Sequence, residues 1–241
     1  TLVGAVVVSG GQVTGAETDG FAGVYSDAPG GITISGGHID GYRGVVLNNS
    51  NSMLTVSDSA NIDGVESAIY NNSTRTNAVT ISGGTIGSTS NTYGIYNAST
   101  GTISMSGGTV QASTTASTPR GINNNGNGTV EITGGSVYGY YAIQNGTSSS
   151  STGTVSIDQT TTSTPTEIGS ADSRYGILSY GNLEILGGSI NGDYAIGKQN
   201  SSTTFTISGG EITGERRGIA LSNSSLLSIS GDPVIQGEQY G

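Results

Sequence analysis

Two pairs of carboxylates stand in matching sequence contexts, and paired carboxylates serve glycoside hydrolysis and calcium binding. Asp40 and Asp63 each lie in an Ile-Asp-Gly triplet, while Asp193 and Glu215 each follow a glycine. If the members of a pair occupy neighbouring strands of a stacked structure, their backbones lie about 5 Å apart. That separation fits a retaining glycosidase or a cation site, so these four residues are the candidates for catalysis.

The second pair also has an interpretation without catalysis. Arg216 and Arg217 directly follow Glu215, and they could neutralise it at a solvated edge. The chain has no cysteine and a single histidine, His38, which takes the variable position of a Gly-Gly-x-Ile motif where other copies have Thr, Ser or Glu. We therefore predict that His38 faces solvent, and we expect neither a metal site nor a cofactor.

A different candidate site is a set of Tyr and Arg residues that share one position of a repeat, directly before a small residue and a branched aliphatic residue. Aromatic rings can stack on sugars, and guanidinium groups bind hydroxyls or carboxylates. The predicted carbohydrate-binding residues are Tyr93, Arg120, Tyr141, Tyr175, Tyr194 and Arg217, and Arg43 has the same position. A structural stacking ladder at a corner explains the set equally well. A second set, predicted to lie on an outer face, consists of Tyr25, Tyr70 and Tyr96.

Both candidate sites depend on a repeat that runs through the whole chain. The sequence ITISGGHI begins at Ile32, and close variants begin at Val79, Val130, Leu183 and Phe205. Each copy contains an alternating apolar and polar segment, a glycine turn and a further branched aliphatic residue. Such self-similarity at a period of about 20–50 residues is typical of solenoids.

Three rows of apolar residues emerge when the copies are aligned. The first row is Val8, Ile34, Val56, Ile81, Met105, Ile132, Ile157, Ile185, Ile207 and Ile229. The second row is Val13, Ile39, Ile62, Ile86, Val110, Val137, Ile168, Ile190, Ile212 and Ile235. The third row, which follows a Gly or Ala, is Val24, Val45, Ile69, Ile95, Ile122, Ile143, Ile177, Ile196 and Ile219.

Three rows predict a three-sided coil with three short strands. One coil cannot bury its own apolar side, but stacked coils bury every branched residue between its counterparts above and below. The sequence therefore predicts an all-β parallel β-helix of about ten coils, forming a single domain over residues 1–241. Because both ends fall within a repeat, we expect this domain to be part of a longer surface protein.

Polar residues recur two positions after the third row, and stacked amides there could hydrogen-bond along the axis. These residues are Asn71, Asn97, Asn124, Asn145 and Ser179. The same region contains several Asn-x-Ser/Thr triplets, which formally match glycosylation acceptors. We favour a structural asparagine turn over glycosylation. The triplets begin at Asn48, Asn71, Asn97, Asn145, Asn200 and Asn223.

Composition excludes several classes of partner. A formal net charge of −10 disfavours binding to nucleic acid or anionic lipid, because these polyanions would be repelled. The longest apolar run, Ala5 to Val8, is far too short to span a bilayer, so membrane insertion is not expected. Because a net charge far from zero favours separate molecules, we also expect the chain to be monomeric within its longer parent.

The Ile-Ser-Gly-Gly-x-Ile repeat, with its variant from Ile229 to Ile235, resembles the right-handed parallel β-helices of the pectate-lyase-like superfamily. The likeness covers essentially the whole chain, and is greatest to repeats of large bacterial cell-surface and adhesin-like proteins. It implies a right-handed helix. Related helices act as polysaccharide lyases or hydrolases, phage tailspikes, stalks or adhesins. The superfamily's catalytic Gly-His-Gly and Arg-x-Lys motifs are not matched by Gly-Gly-His38-Ile or Arg216-Arg217.

The expected function is that of an extracellular bacterial module, secreted or at the cell surface, which acts as an adhesin or stalk and binds carbohydrate through the Tyr and Arg residues. The partner would be a host or environmental glycan. The alternative is a polysaccharide lyase or glycoside hydrolase that uses one of the carboxylate pairs. We favour a non-catalytic role because the repeat offers no convergent set of acid and base residues.

Overall fold

The chain is an all-β solenoid in the computed structural model, which describes residues 5–87, 92–113, 118–159, 164–222 and 225–238. Strands pair in parallel with the equivalent strands of the next coil, and the described residues contain no helix. About nine turns stack along the axis, which confirms the predicted fold class. No helix long and apolar enough to cross a membrane occurs among the described residues.

Most strands are short, and several run around a corner from one face to the next. In chain order they are β1 (Ala5–Thr14), β2 (Ala22–Ser26), β3 (Gly31–Asp40), β4 (Arg43–Leu47), β5 (Met53–Val56), β6 (Asn61–Ile62), β7 (Ser67–Asn71), β8 (Val79–Ile81), β9 (Thr85–Ile86), β10 (Tyr93–Asn97), β11 (Thr102–Gln111), β12 (Arg120–Asn124), β13 (Thr129–Tyr138), β14 (Tyr141–Asn145), β15 (Thr154–Ile157), β16 (Thr166–Ile168), β17 (Tyr175–Ser179), β18 (Asn182–Ile185), β19 (Ser189–Lys198), β20 (Phe205–Ile207), β21 (Glu211–Leu221), β22 (Ser228–Ile229) and β23 (Val234–Gly237).

The strand register reproduces all three predicted rows. Consecutive members of the first row are Cα partners from Val8 to Ile229, and the second row is continuous from Val13 to Ile235. The third row is likewise unbroken. Within the described residues the third row has nine members, whereas the first and second rows each have ten. The structure therefore has nine complete turns rather than ten.

The core is a column of branched aliphatic side chains that contact their counterparts one coil away. All interior members of the three rows are buried, Ile34, Ile39 and Val45 among them with no exposed surface. Burial of one such side chain stabilises the fold by roughly 1.5–3 kcal/mol. Members of the end coils, such as Ile229 and Val8, are more exposed because one side lacks a described coil.

The glycine turn between the first two faces requires a left-handed backbone. Gly37 has φ +80° and Gly135 has φ +94°, a region that side chains with a Cβ rarely adopt. A Cβ at Gly37 would also lie 2.7 Å from the carbonyl oxygen of Gly11 in the coil below. In one of the coils that lack the Gly-Gly pair, Asp58 takes φ 51°, and aspartate tolerates this conformation better than most residues.

A buried ladder of asparagines runs up one corner, as the sequence predicted. The Nδ2 of Asn71 donates to Oδ1 of Asn97 at 2.8 Å, and the next two steps, to Asn124 and Asn145, are each 2.9 Å. Each amide also satisfies a turn carbonyl, for example from Asn124 Nδ2 to Gly128 O at 2.7 Å. These asparagines have no exposed surface, so their triplets serve the turn rather than a surface modification.

The ladder position is occupied by a lysine two coils above Asn145. Lys198 follows Ser179 in register and is fully buried. Its Nζ donates to the carbonyl oxygens of Gly181 at 2.8 Å and Asn200 at 3.1 Å, and to the hydroxyl of Thr203. Burial lowers the pKa of Lys198 from 10.5 to about 8. The only lysine of the chain is thus a structural residue that donates hydrogen bonds to uncharged oxygen atoms.

The asparagine ladder should tolerate no loss of its amide donors. Asn124→Asp replaces Nδ2 with an oxygen that faces the carbonyl oxygen of Gly128 and Oδ1 of Asn145. We expect a loss of about 3–5 kcal/mol in the free energy of unfolding, measured by urea denaturation, because a buried charge is left unpaired. The adjacent, exposed Asn125→Asp is the control, with an expected change within about 0.5 kcal/mol. Equal effects of the two substitutions would contradict a ladder at Asn124.

Lys198 should make stability depend on pH in the alkaline range. Between pH 8 and 10 the folded state releases the Lys198 proton while the unfolded state, with a pKa near 10.5, retains it. Stability therefore rises with pH, by about 1–3 kcal/mol over this range. Comparing wild type with Lys198→Met by denaturant unfolding isolates this contribution, because tyrosine titrations affect both proteins alike. Parallel pH profiles for the two would refute the assignment.

Candidate functional site

The predicted Tyr and Arg residues occupy one position in six successive coils. The strand register pairs Tyr93 with Arg120, Arg120 with Tyr141, and so on to Arg217. We call this set the Tyr/Arg stripe: Tyr93, Arg120, Tyr141, Tyr175, Tyr194 and Arg217. Its members begin β10, β12, β14 and β17 and lie within β19 and β21, and all are half-buried apart from Arg217, which is exposed.

The small residue after each stripe member explains why the large side chain points outwards. A Cβ on Gly94 would lie 2.6 Å from the carbonyl oxygen of Gly121 and 2.7 Å from Cγ1 of Val110. The backbone at this corner is therefore packed directly against the neighbouring coil and the second row. A bulky group fits only on the residue before it, outside the corner.

Stripe members contact their vertical neighbours. The rings of Tyr175 and Tyr194 stack at 5.1 Å between centroids with 23° between planes, and Tyr141 meets Tyr175 at 5.6 Å and 63°. The guanidinium carbon of Arg120 lies 5.6 Å from the centroid of Tyr93 and 5.7 Å from that of Tyr141. Arg120 is thus held between two rings, and the structural stacking interpretation holds alongside any binding role.

The phenols of the stripe remain hydrogen-bond donors. Burial raises the pKa of Tyr141 and of Tyr175, so both hydroxyls stay protonated at neutral pH. Among the described residues, the hydroxyls of Tyr141, Tyr175 and Tyr194 have no hydrogen-bond partner. Three adjacent coils therefore offer unsatisfied phenolic hydroxyls to solvent in a row.

Arg43 belongs to the same register but not to the continuous array. Ser67 separates it from Tyr93, and its guanidinium lies 4.1 Å from the ring centroid of Tyr70 and pairs with Glu66. Tyr70 stacks on Tyr96 at 5.4 Å with 5° between the planes. The second tyrosine set is thus an outer stack next to the lower end of the stripe. Its first member, Tyr25, stands apart and is 57% exposed.

The first carboxylate pair is aligned as the sequence predicted, and each member is tied to its own turn. The backbone nitrogen of Asp63 donates to the carbonyl oxygen of Ile39, which places the residue one coil above Asp40. Oδ1 of Asp40 accepts from the Gly41 backbone nitrogen at 2.7 Å, and Oδ1 of Asp63 accepts from that of Gly64 at 2.8 Å. These contacts assign both side chains a turn-stabilising role.

The second pair is separated by a shift in register. Gly192 pairs with Gly214, but Tyr194 pairs with Arg217, so β21 holds one extra residue here. The Asp193 carboxylate binds Nη1 of Arg174 and Nε of Arg216, each at 3.0 Å, whereas Glu215 is exposed. The arginine that follows Glu215 therefore neutralises Asp193 rather than Glu215.

Arg174 is the residue that sequence reasoning missed. Its guanidinium carbon lies 5.0 Å from the ring centroid of Tyr194, so Asp193 and Arg174 together brace the upper part of the stripe. The available signal was the position of Arg174, directly before Tyr175 in the stripe register. It falls outside the repeat pattern because the residue directly before a stripe member varies from coil to coil, being Thr92, Pro119, Tyr140, Arg174, Asp193 and Arg216 in turn.

His38 is half-buried rather than fully solvent-facing. It pairs in register with Gln12 and Asn61 on the outward side of the second face, but its Nε2 is buried without a hydrogen-bond partner in the described part of the chain. No group of three or more His, Asp or Glu side chains able to hold a metal ion exists among the described residues.

Comparisons with protein-family models, curated proteins and solved structures give no match for this chain. The resemblance to pectate-lyase-like and adhesin-like helices therefore rests on the sequence repeat alone. The fold itself, a parallel β-solenoid, is established by the strand pairing.

The stack should make the rings of the stripe structural while leaving their hydroxyls dispensable for folding. Tyr194→Ala removes contacts with Tyr175, Arg174 and Arg217, and should lower the free energy of unfolding by about 1–3 kcal/mol. Tyr194→Phe keeps the ring and should change it by no more than about 0.5 kcal/mol. Urea unfolding measures both, with Tyr25→Ala as the exposed control. An effect of Tyr194→Ala no larger than that of the control would disprove the stack.

Proposed function

We propose that this chain is an extracellular bacterial surface module, an adhesin or stalk, that binds carbohydrate through the Tyr/Arg stripe. The observation that carries the proposal is the continuous array of six Tyr and Arg side chains in one register over six coils. Phenolic hydroxyls and guanidinium groups are donors suited to the hydroxyls of glycans. No cofactor enters this function.

The rest of the molecule suits a rigid carrier of such an array. Its core is continuous from coil to coil, and its turns and asparagine ladder fix each coil on the next. Because each coil contacts only its neighbours, a rod of this kind can be extended by repetition without altering the surface of any one coil. Those are the properties that a stalk requires.

The carboxylates support this proposal more than its enzymatic alternative. Asp193 is engaged by Arg174 and Arg216, and Asp40 and Asp63 accept hydrogen bonds from their own turns. A retaining glycosidase needs one carboxylate for nucleophilic attack and a second as acid and base. In the geometry above, the contacts of these carboxylates instead hold backbone turns and the arginines around the stripe.

Glycan-array binding tests the proposal. Wild type should bind a subset of glycans, and Tyr141→Ala/Tyr175→Ala should reduce that binding by about tenfold or more, because two rings and two donors of the stripe are lost. The matched control is Tyr25→Ala/Tyr138→Ala, which removes two tyrosines outside the stripe. Circular dichroism confirms that each variant retains its strands.

Two results would contradict the proposal. Equal binding by wild type and by the stripe variant would remove the stripe from recognition. Release of oligosaccharides from any arrayed polysaccharide, with the release abolished by Asp40→Asn/Asp63→Asn or by Asp193→Asn/Glu215→Gln, would establish the enzymatic alternative instead.

A further inference from the structure

The rings of the stripe are already occupied on the sides that face along the axis. Tyr194 has the ring of Tyr175 at 5.1 Å and the guanidinium carbons of Arg174 and Arg217 at 5.0 Å and 5.6 Å. Tyr141 likewise contacts Tyr140 at 5.1 Å in addition to Tyr175 and Arg120. A ligand cannot insert between these groups without breaking the stack. What the stripe offers outwards is a row of polar ends rather than open ring faces.

The residues that carry those polar ends recur at a nearly constant distance along the solenoid axis. Stripe members are strand partners in successive coils, so their backbones advance by about 4.8 Å per coil. Ring centroids follow the same rise, at 5.6 Å from Tyr141 to Tyr175 and 5.1 Å from Tyr175 to Tyr194. A ligand that engages several members at once must therefore be extended along the axis and must offer a polar group at each such interval.

We infer that the ligand is an extended, equatorially linked polysaccharide of the β-1,4 type that lies along the solenoid axis with one sugar residue per coil. This inference rests on the proposed carbohydrate-binding function. In such a chain each pyranose advances the polymer by about one ring length, close to the rise of one coil, so each residue meets an equivalent donor. An α-1,4-linked chain of the same sugar coils and leaves a straight row after a few residues.

Hydrogen bonding suits this arrangement. The hydroxyls of Tyr141, Tyr175 and Tyr194 have no partner among the described residues, and each can donate to one sugar oxygen and accept from another hydroxyl. A single neutral hydrogen bond contributes about 1 kcal/mol, so affinity should come from repetition rather than from any one contact. Binding strength is therefore expected to depend on ligand length.

Titration calorimetry with two families of glucose oligomers tests the inference on the intact chain. Affinity should rise stepwise from cellobiose to cellohexaose, and maltohexaose, with the same composition and length, should bind at least about tenfold more weakly than cellohexaose. Equal binding of the two hexaoses, or equal binding of cellobiose and cellohexaose, would overturn the one-sugar-per-coil arrangement. Stripe-dependent binding of maltohexaose would do so while leaving the proposed function intact, whereas no stripe-dependent binding of any arrayed glycan would contradict both.

A second variant tests the contribution of the phenolic hydroxyls to binding separately from that of the rings. Tyr141→Phe/Tyr175→Phe/Tyr194→Phe keeps the stack and removes the three phenolic groups, and it should weaken cellohexaose binding by about tenfold or more without lowering the thermal midpoint appreciably. Tyr25→Phe is the matched control and should bind as wild type does. Unchanged affinity in the triple variant would show that recognition does not use the hydroxyl row, and would overturn the inference.

Discussion

Each coil of this protein depends on the coil above and below it, because the three short strands of one coil cannot bury their own apolar side. The register that brings Ile34 over Val8 and under Val56 also brings glycine turn over glycine turn and amide over amide. A slip by one residue would turn every core side chain outwards. The rest of the structure follows from this vertical alignment of equivalent residues.

The same alignment turns sequence repetition into linear arrays on the surface. A residue type that recurs at one position becomes a row with the spacing of the coils, and the stripe from Tyr93 to Arg217 is such a row. Inside the molecule the asparagine ladder is formed in the same way. One geometric constraint thus supplies both the stability of the rod and the ordered set of donors to which we assign recognition.

Sequence reasoning recovered the features that recur at one position in several coils and missed those that break the repeat. The three apolar rows, the asparagine ladder and the stripe register follow from period alone. The extra residue opposite Asp193, the bracing Arg174 and the isolation of Arg43 by Ser67 depend on single coils, where alignment gives no signal. The buried Lys198 was also missed, because an isolated charged residue normally indicates a solvated position, and only the surrounding carbonyl oxygens explain it.

Disulfide trapping tests the vertical alignment most directly, since the chain contains no cysteine of its own. Thr80 and Ser104 are Cα partners in adjacent coils, at about 4.8 Å, whereas Thr80 and Glu131 stand two coils apart, at roughly 9.6 Å. Mild oxidation of the native protein should close a bridge in Thr80→Cys/Ser104→Cys and none in Thr80→Cys/Glu131→Cys, as detected by peptide mass spectrometry, because a disulfide spans at most about 7 Å between Cα atoms. A bridge in the second variant, or its absence in the first, would contradict the alignment on which the core, the ladder and the stripe all depend.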